Sequence, residues 1–140
     1  MFFRVLALVL VVVFWGCVGV RYHNSVSYLR KEVTDYWSSV VKGDWDRAYR
    51  YESPLFKKVV PKDVYESRRA NPMAKVVGFN IIDISPKDSK GCSVVKLKVD
   101  LRLVVPGVRG SSKISVPVKE KWCIVNGRWY HISRLKGGKL

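Results

Sequence analysis

Glu120 and His131 are the residues best placed for acid–base chemistry. A strand read over residues 113–125 turns at Asn126-Gly127 and returns from residue 128. Counting back from that two-residue turn sets Trp122 opposite His131. Glu120 and His131 then become diagonal neighbours on one face of the sheet. That face otherwise carries Ile114, Val116, Val118 and Ile124. A carboxylate and an imidazole in apolar surroundings suit general acid–base work, because burial raises the carboxyl pKa. Tyr36 or Tyr49 would donate to a developing oxyanion. The plainer reading carries more weight: Glu120 at a sheet rim or bulge, and His131 as a satisfied structural histidine.

The next strand back, residues 93–104, alternates almost strictly. Val95, Leu97, Val99, Leu101 and Leu103 share one face, and Lys96, Lys98, Asp100 and Arg102 share the other. Pairing Leu103 with Ile114 brings Cys92 within one diagonal step of Cys123, both on the polar face. A cross-strand pair meets the spacing that a disulfide needs, given an oxidising compartment. Two ordinary half-buried thiols are the alternative. The same parity gathers Lys96, Lys98, Arg102, Lys113, Lys119 and Lys121 on one face, with Asp100 as the acid among them. Like charges facing each other across strands are mildly destabilising. Such a face is tolerated when solvated and useful when an anionic partner covers it. No aromatic residues interleave with these cations, so nucleic-acid stacking lacks its platform. No CxxC, paired His or mixed Cys/His spacing is present, so neither a metal nor another cofactor is expected.

These strands need a layer to pack against, and the first half of the chain supplies it. Val26, Leu29, Val33, Tyr36, Trp37, Val40 and Val41 recur at helical spacing after Asn24 or Ser25, and Gly43 stops the helix. Asp44 caps a second short helix with Trp45, Ala48 and Tyr49 on its buried stripe. Ser53-Pro54 opens a third, with Leu55, Phe56 and Val59. Pro61 interrupts it, Val64 and Tyr65 resume it, and Asn71-Pro72 ends the helical half. Residues 75–85 form a first strand with a bulge at Ile81-Ile82. The last strand is read over residues 128–135. The expectation is an α+β fold: two to three helices packed on a curved antiparallel four-stranded sheet. The aromatics Tyr36, Trp37, Trp45, Tyr49, Tyr65, Trp122 and Trp129 form its core.

The chain opens on a different composition. Residues 5–20 carry no charge, and Phe2 and Phe3 extend the apolar run across Arg4. A spanning helix needs roughly 17–25 residues, so an uncleaved transmembrane anchor over residues 1–22 is the favoured reading. A cleaved signal peptide ending near Gly16 or Gly19 ranks second. Lipidation of Cys17 ranks third, because Phe14 and Trp15 depart from the residues usual before a lipidated cysteine. A very short tail before the anchor stays cytoplasmic, which puts residues 23–135 on the extracytoplasmic side as one domain. Residues 136–140 form a frayed tail. The 26 Lys and Arg residues against 11 acids give a net charge of +15. A field of that sign attracts an acidic protein or an anionic envelope component. Assembly of identical copies is compatible with the sequence.

Two phrases resemble the nuclear transport factor 2-like superfamily of cone-shaped domains. YWSSVVKGDWDRAYRYESP resembles its opening: a helix, a Gly-Asp break, a helix ending in Ala-Tyr, and a Ser-Pro turn. KWCIVNGRWYHIS resembles its closing hairpin, with Trp122, Asn126-Gly127 and Trp129-Tyr130. The resemblance spans residues 25–135. It implies a cone fold whose members include isomerases, dehydratases, ligand binders and non-enzymatic assembly accessories. Enzymatic members place an Asp/His or Tyr/Asp set in the pocket, and no such set aligns here residue by residue. The expectation is therefore a non-enzymatic, membrane-anchored accessory docking through the basic face. The alternatives are a small apolar ligand held in the cone and, last, an isomerase- or lyase-like site at Glu120 and His131.

Overall fold

Helix α1, Val26–Lys42, starts where the Ser25 side chain accepts a hydrogen bond from the Tyr28 amide. It ends at Gly43, whose φ of 74° is left-handed and suits a residue without a Cβ. Leu29, Val33, Tyr36, Trp37 and Val40 form its buried stripe. Asp44 caps α2, Trp45–Arg50, by accepting from the Arg47 amide. Ser53 caps α3, Pro54–Val59, by accepting from the Phe56 amide. Pro61 lacks an N–H and separates α3 from α4, Lys62–Arg69. The computed structural model describes residues 25–104, 106–107 and 109–134.

The second half is an antiparallel meander in the order β1-β2-β3-β4. Its strands are β1, Ala74–Ile84; β2, Cys92–Leu103; β3, Ser112–Val125; and β4, Arg128–His131. β1 carries two irregularities, one between Val76 and Gly78 and one between Ile81 and Asp83. The second is at the doubled isoleucine where a bulge is expected. Asn126 and Gly127, with φ of 50° and 77°, make the tight turn into β4. α+β architecture with helices on a curved antiparallel sheet is therefore the observed fold.

Two details differ from the sequence reading. The register between β2 and β3 is shifted by two residues: Leu103 faces Ser112, Leu101 faces Ile114 and Ser93 faces Trp122. A two-residue slip keeps every side chain on its own face, so the sorting into apolar and basic faces is unaffected. It also converts Cys92 and Cys123 from diagonal to direct partners. β4 stops at His131 rather than running to residue 135. The Ile132 amide still reaches the Lys121 carbonyl at 2.9 Å, and then the Ser133 hydroxyl turns to His131 Nδ1 at 3.2 Å.

The core lies between the helices and the concave sheet face. Trp122 and Trp129 are fully buried there, with Val95, Leu97 and Val99 from β2 and Leu29, Val33 and Tyr36 from α1. Tyr36 meets Trp122 edge-on, ring centres 5.6 Å apart. Trp45 and Tyr49 are half-buried and pack against this core rather than lying within it. Among the described residues no helix is long and apolar enough to cross a membrane. The expected anchor over residues 1–22, Cys17 within it, and the tail over residues 136–140 lie outside the described residues.

Candidate functional site

Strand β3 sends Lys119 outward, Glu120 inward and Lys121 outward, so one tripeptide serves two surfaces. On the inner side Glu120 lies two residues from Trp122, and the turn sets Trp122 opposite His131. His131 Nε2 is 3.3 Å from Glu120 Oε1, with both side chains 8 % exposed. Two indoles complete the carboxylate's shell. Trp37 and Trp122 each donate Nε1–H to Glu120 Oε2 at 3.2 Å.

A third residue, Glu52, joins from the helical half. The segment between α2 and α3 lies along the free side of β4. The His131 amide donates to the Tyr51 carbonyl at 2.8 Å, and the Ser53 amide donates to the His131 carbonyl at 3.1 Å. Glu52 is thereby fixed beside the histidine, fully buried, with Oε1 3.1 Å from His131 Nδ1. Arg69 of α4 stands 3.8 Å from the same oxygen, and its guanidinium covers the Tyr65 ring. Sequence reading missed Glu52 because an acid before a Ser-Pro cap looks like an ordinary turn residue. The local signal available was the close run of aromatic residues Tyr49 and Tyr51 around it.

These contacts decide the charge state. Burial alone would lower the His131 pKa, but hydrogen bonds to Glu120 and Glu52 outweigh it and push the value up to about 9. Burial alone would raise Glu120, but the His131 hydrogen bond and charge, with the two indoles, bring it below the usual glutamate range. At neutral pH an imidazolium therefore bridges two groups that accept from it, one at each ring nitrogen. A histidine held in that form donates two hydrogen bonds and has no lone pair for a base to use.

The two tyrosines expected beside this pair lie in different places. Tyr36 is buried against the His131 ring, centres 5.0 Å apart, and burial pushes its hydroxyl well above the ordinary tyrosine range. Tyr49 is not part of this cluster. Its hydroxyl donates to the Val60 carbonyl at 2.8 Å, closing the end of α3. It is spent on backbone and corrects the reading of Tyr49 as an oxyanion donor. Tyr65 stands nearer the cluster, its pKa raised to about 12, chiefly by burial. Its hydroxyl and Glu52 Oε2 are buried without a hydrogen bond of ordinary geometry, although each lies within electrostatic reach of the other.

A cleft of ≈ 1250 Å³ opens beside Glu120 and His131. Phe56, Val60 and Tyr65 give it an apolar wall, and Arg68, Lys119, Lys121 and Arg134 line it with positive charge. No group of three or more His, Cys, Asp or Glu among the described residues is arranged to hold a metal ion.

On the outer side, Lys96, Lys98, Arg102, Lys113, Lys119 and Lys121 are all exposed. Lys96 sits directly opposite Lys119, and Arg102 opposite Lys113. β1 adds Lys75 beside Arg102 and Asp83 beside Lys96. Asp83 meets the Lys96 amine at 3.3 Å, and Asp100 accepts from the Ser115 hydroxyl. Cys92 and Cys123 are bonded on this face, with Cα atoms 4.0 Å apart.

No family model matches the chain, and no curated protein matches it in sequence. Solved structures do. A SEC-C motif containing protein from Rhodopseudomonas palustris superposes with a TM-score of 0.55 at 15% identity, over 81% of this chain and 79% of that one. A SEC-C motif containing protein from Psychrobacter arcticus gives 0.56 at 15% identity, over 79% of this chain and 60% of that one. These likenesses show the fold. At this identity they carry no residue roles, and the matched part is less than two thirds of the Psychrobacter chain.

Proposed function

We propose that this chain is a non-enzymatic docking domain of the nuclear transport factor 2-like type. In this reading the N-terminal apolar run holds it to a membrane, with the domain on the extracytoplasmic side. It binds an acidic protein or an anionic envelope component through the outer face of its sheet. One observation carries the reading. Six cations from β2 and β3 share that face, and four of them form two directly opposed like-charge pairs, Lys96 with Lys119 and Arg102 with Lys113. Such pairing costs stability, and an anionic partner would offset the cost. The inner cluster supports the non-enzymatic half. Glu120 and His131 hold each other in charged forms, and Glu52 stands at the second ring nitrogen, so the imidazole keeps no lone pair for proton abstraction.

The test compares full-length protein in membranes with a Lys96→Glu/Lys98→Glu/Lys113→Glu variant after crosslinking. The reading expects a crosslinked partner that is lost in the variant and weakened by raised salt. An unchanged crosslinking pattern in the variant would overturn it.

The cleft favours a second reading, a small ligand with an apolar body and an anionic end. Phe56 and Val60 would take the body, and Arg68 and Arg134 the charge. Native mass spectrometry of the protein extracted in mild detergent checks this. A reproducible bound mass that is displaced by Arg68→Glu supports it, and an unliganded mass counts against it.

A further inference from the structure

Strand β3 runs from Ser112 to Val125, yet β4 covers only Trp122–Val125 of it. Among the described residues, the side of β3 facing away from β2 has no strand between Ser112 and Glu120. The direction of its backbone groups follows from one bond. The Lys121 carbonyl accepts from Ile132 on the β4 side. Alternation then turns the N–H and C=O of Lys119, Ser115 and Lys113 the same way, toward the open side. The close 4.0 Å approach of Cys92 and Cys123 agrees, since it marks the pairs that exchange no hydrogen bonds with β2. Pro117 shares this parity, so its missing N–H removes nothing from the β2–β3 ladder.

The two faces along this edge have opposite character. Ile114 is 41% exposed on the inner side, and Val116 and Val118 beside it are only half-buried. Lys113, Lys119 and Lys121 lie on the outer side. An added strand would therefore need apolar side chains inward and acidic ones outward. A second copy of this chain is a poor fit, since pairing two such edges sets lysine rows against each other and leaves a gap at each proline.

We propose that the open edge of β3 receives an extended segment of the acidic partner by strand addition, with acidic side chains over Lys113 and Lys119 and apolar ones over Ile114, Val116 and Val118. This deepens the docking reading and rests on it. Backbone bonds supply part of the affinity, and the alternating side chains supply the choice of partner.

The test uses full-length protein in non-ionic detergent and two capped octapeptides, one alternating Glu and Val, the other with four Glu followed by four Val. Both carry the same charge, so only the strand pattern differs. The alternating peptide should bind about tenfold tighter. It should also slow hydrogen exchange at the amides of Lys113, Ser115 and Lys119. Ser115→Pro, which removes one edge-facing N–H without touching charge, should abolish the difference, and Ser115→Ala should retain it. The exchange data on unmodified protein stand even if the proline variant folds poorly. Equal binding of both peptides with unprotected edge amides would overturn strand addition and leave docking on the basic face intact. Failure of both peptides to bind would overturn both readings. Edge amides already protected in the free protein, or a dimer by light scattering, would show the edge occupied by this chain itself and overturn the proposal.

Discussion

Lys119, Glu120 and Lys121 are neighbours in sequence, yet they belong to two electrostatic regimes. Glu120 faces inward, where His131 stands within hydrogen-bond reach, two indoles donate to it and little of its side chain meets water. Lys119 faces outward, directly opposite another lysine. Inside, the low dielectric makes both pairing and its loss expensive. Outside, water screens repulsion and attraction alike, so single charges do little until a partner displaces the water. The pleat of one strand thus separates charges that hold the domain together from charges available to something else.

The sharpest way to break this comparison is to remove the hinge of the inner cluster. His131→Ala would leave Glu52 and Glu120 facing each other without a counter-charge on the line between them. A loss of about 3–5 kcal/mol is expected, as for a buried pair deprived of one member. Urea denaturation followed by tryptophan fluorescence measures it, because Trp122 touches the His131 ring. A loss below about 1 kcal/mol would mean the cluster is hydrated and the contrast between the faces is false.

The outer face has its own fixed point in the Cys92–Cys123 bond, which spans 31 residues of sequence. Reducing it should cost about 3–4 kcal/mol through the freedom returned to the unfolded chain. Thermal melts with and without reductant test this. The bond joins β2 to β3, so fraying should appear in exchange at that end of the pair before the helices respond.

The inner cluster should also make stability depend on pH. The His131 pKa rises from 6.5 to about 9 on folding. Its contribution is complete below 6.5 and is lost as pH climbs through about 9. The size is on the order of 3 kcal/mol. On the acid side Glu120 is lowered from 4.5, so its contribution holds above that value and is lost as pH falls through the folded value. The two shifts describe one shared interaction and are not added. Denaturant midpoints at pH 6 and pH 10 give the alkaline limb, and His131→Gln should flatten it.

Much of this was legible in the residues, for identifiable reasons. Helix ends announced themselves through Ser25, Gly43, Asp44 and Ser53, where local hydrogen bonds decide. The Asn126-Gly127 turn fixed the pairing of Trp122 with His131, and so the nearness of Glu120. The longer connection before Ser112 carried no such constraint, and there the register came out two residues away. Strand alternation survives a slip of two, which is why the sorting of faces outlasted the error. Glu52 was missed because its position depends on a loop laid along β4, a long-range contact that the neighbouring Tyr49 and Tyr51 hint at but no periodicity marks. Tyr49 was misjudged because its nearest acceptor, the Val60 carbonyl, exists only once Pro61 has broken the helix.

The smallest effect is the most discriminating. Lys119 stands opposite Lys96, whose amine already meets Asp83. Lys119→Glu would turn a like-charge cross-strand pair into an attractive one, so the domain should gain about 0.2–1 kcal/mol. The same change removes a cation from the middle of the proposed docking face, so binding of the alternating acidic peptide should fall. Stability and binding would then move in opposite directions on one substitution. A face selected only to be soluble has no reason to show that opposition, because the more stable glutamate would serve it equally well. Parallel denaturation and peptide titration of Lys119→Glu decide the matter. A gain in stability with unchanged binding would return the lysine row to a solvated surface.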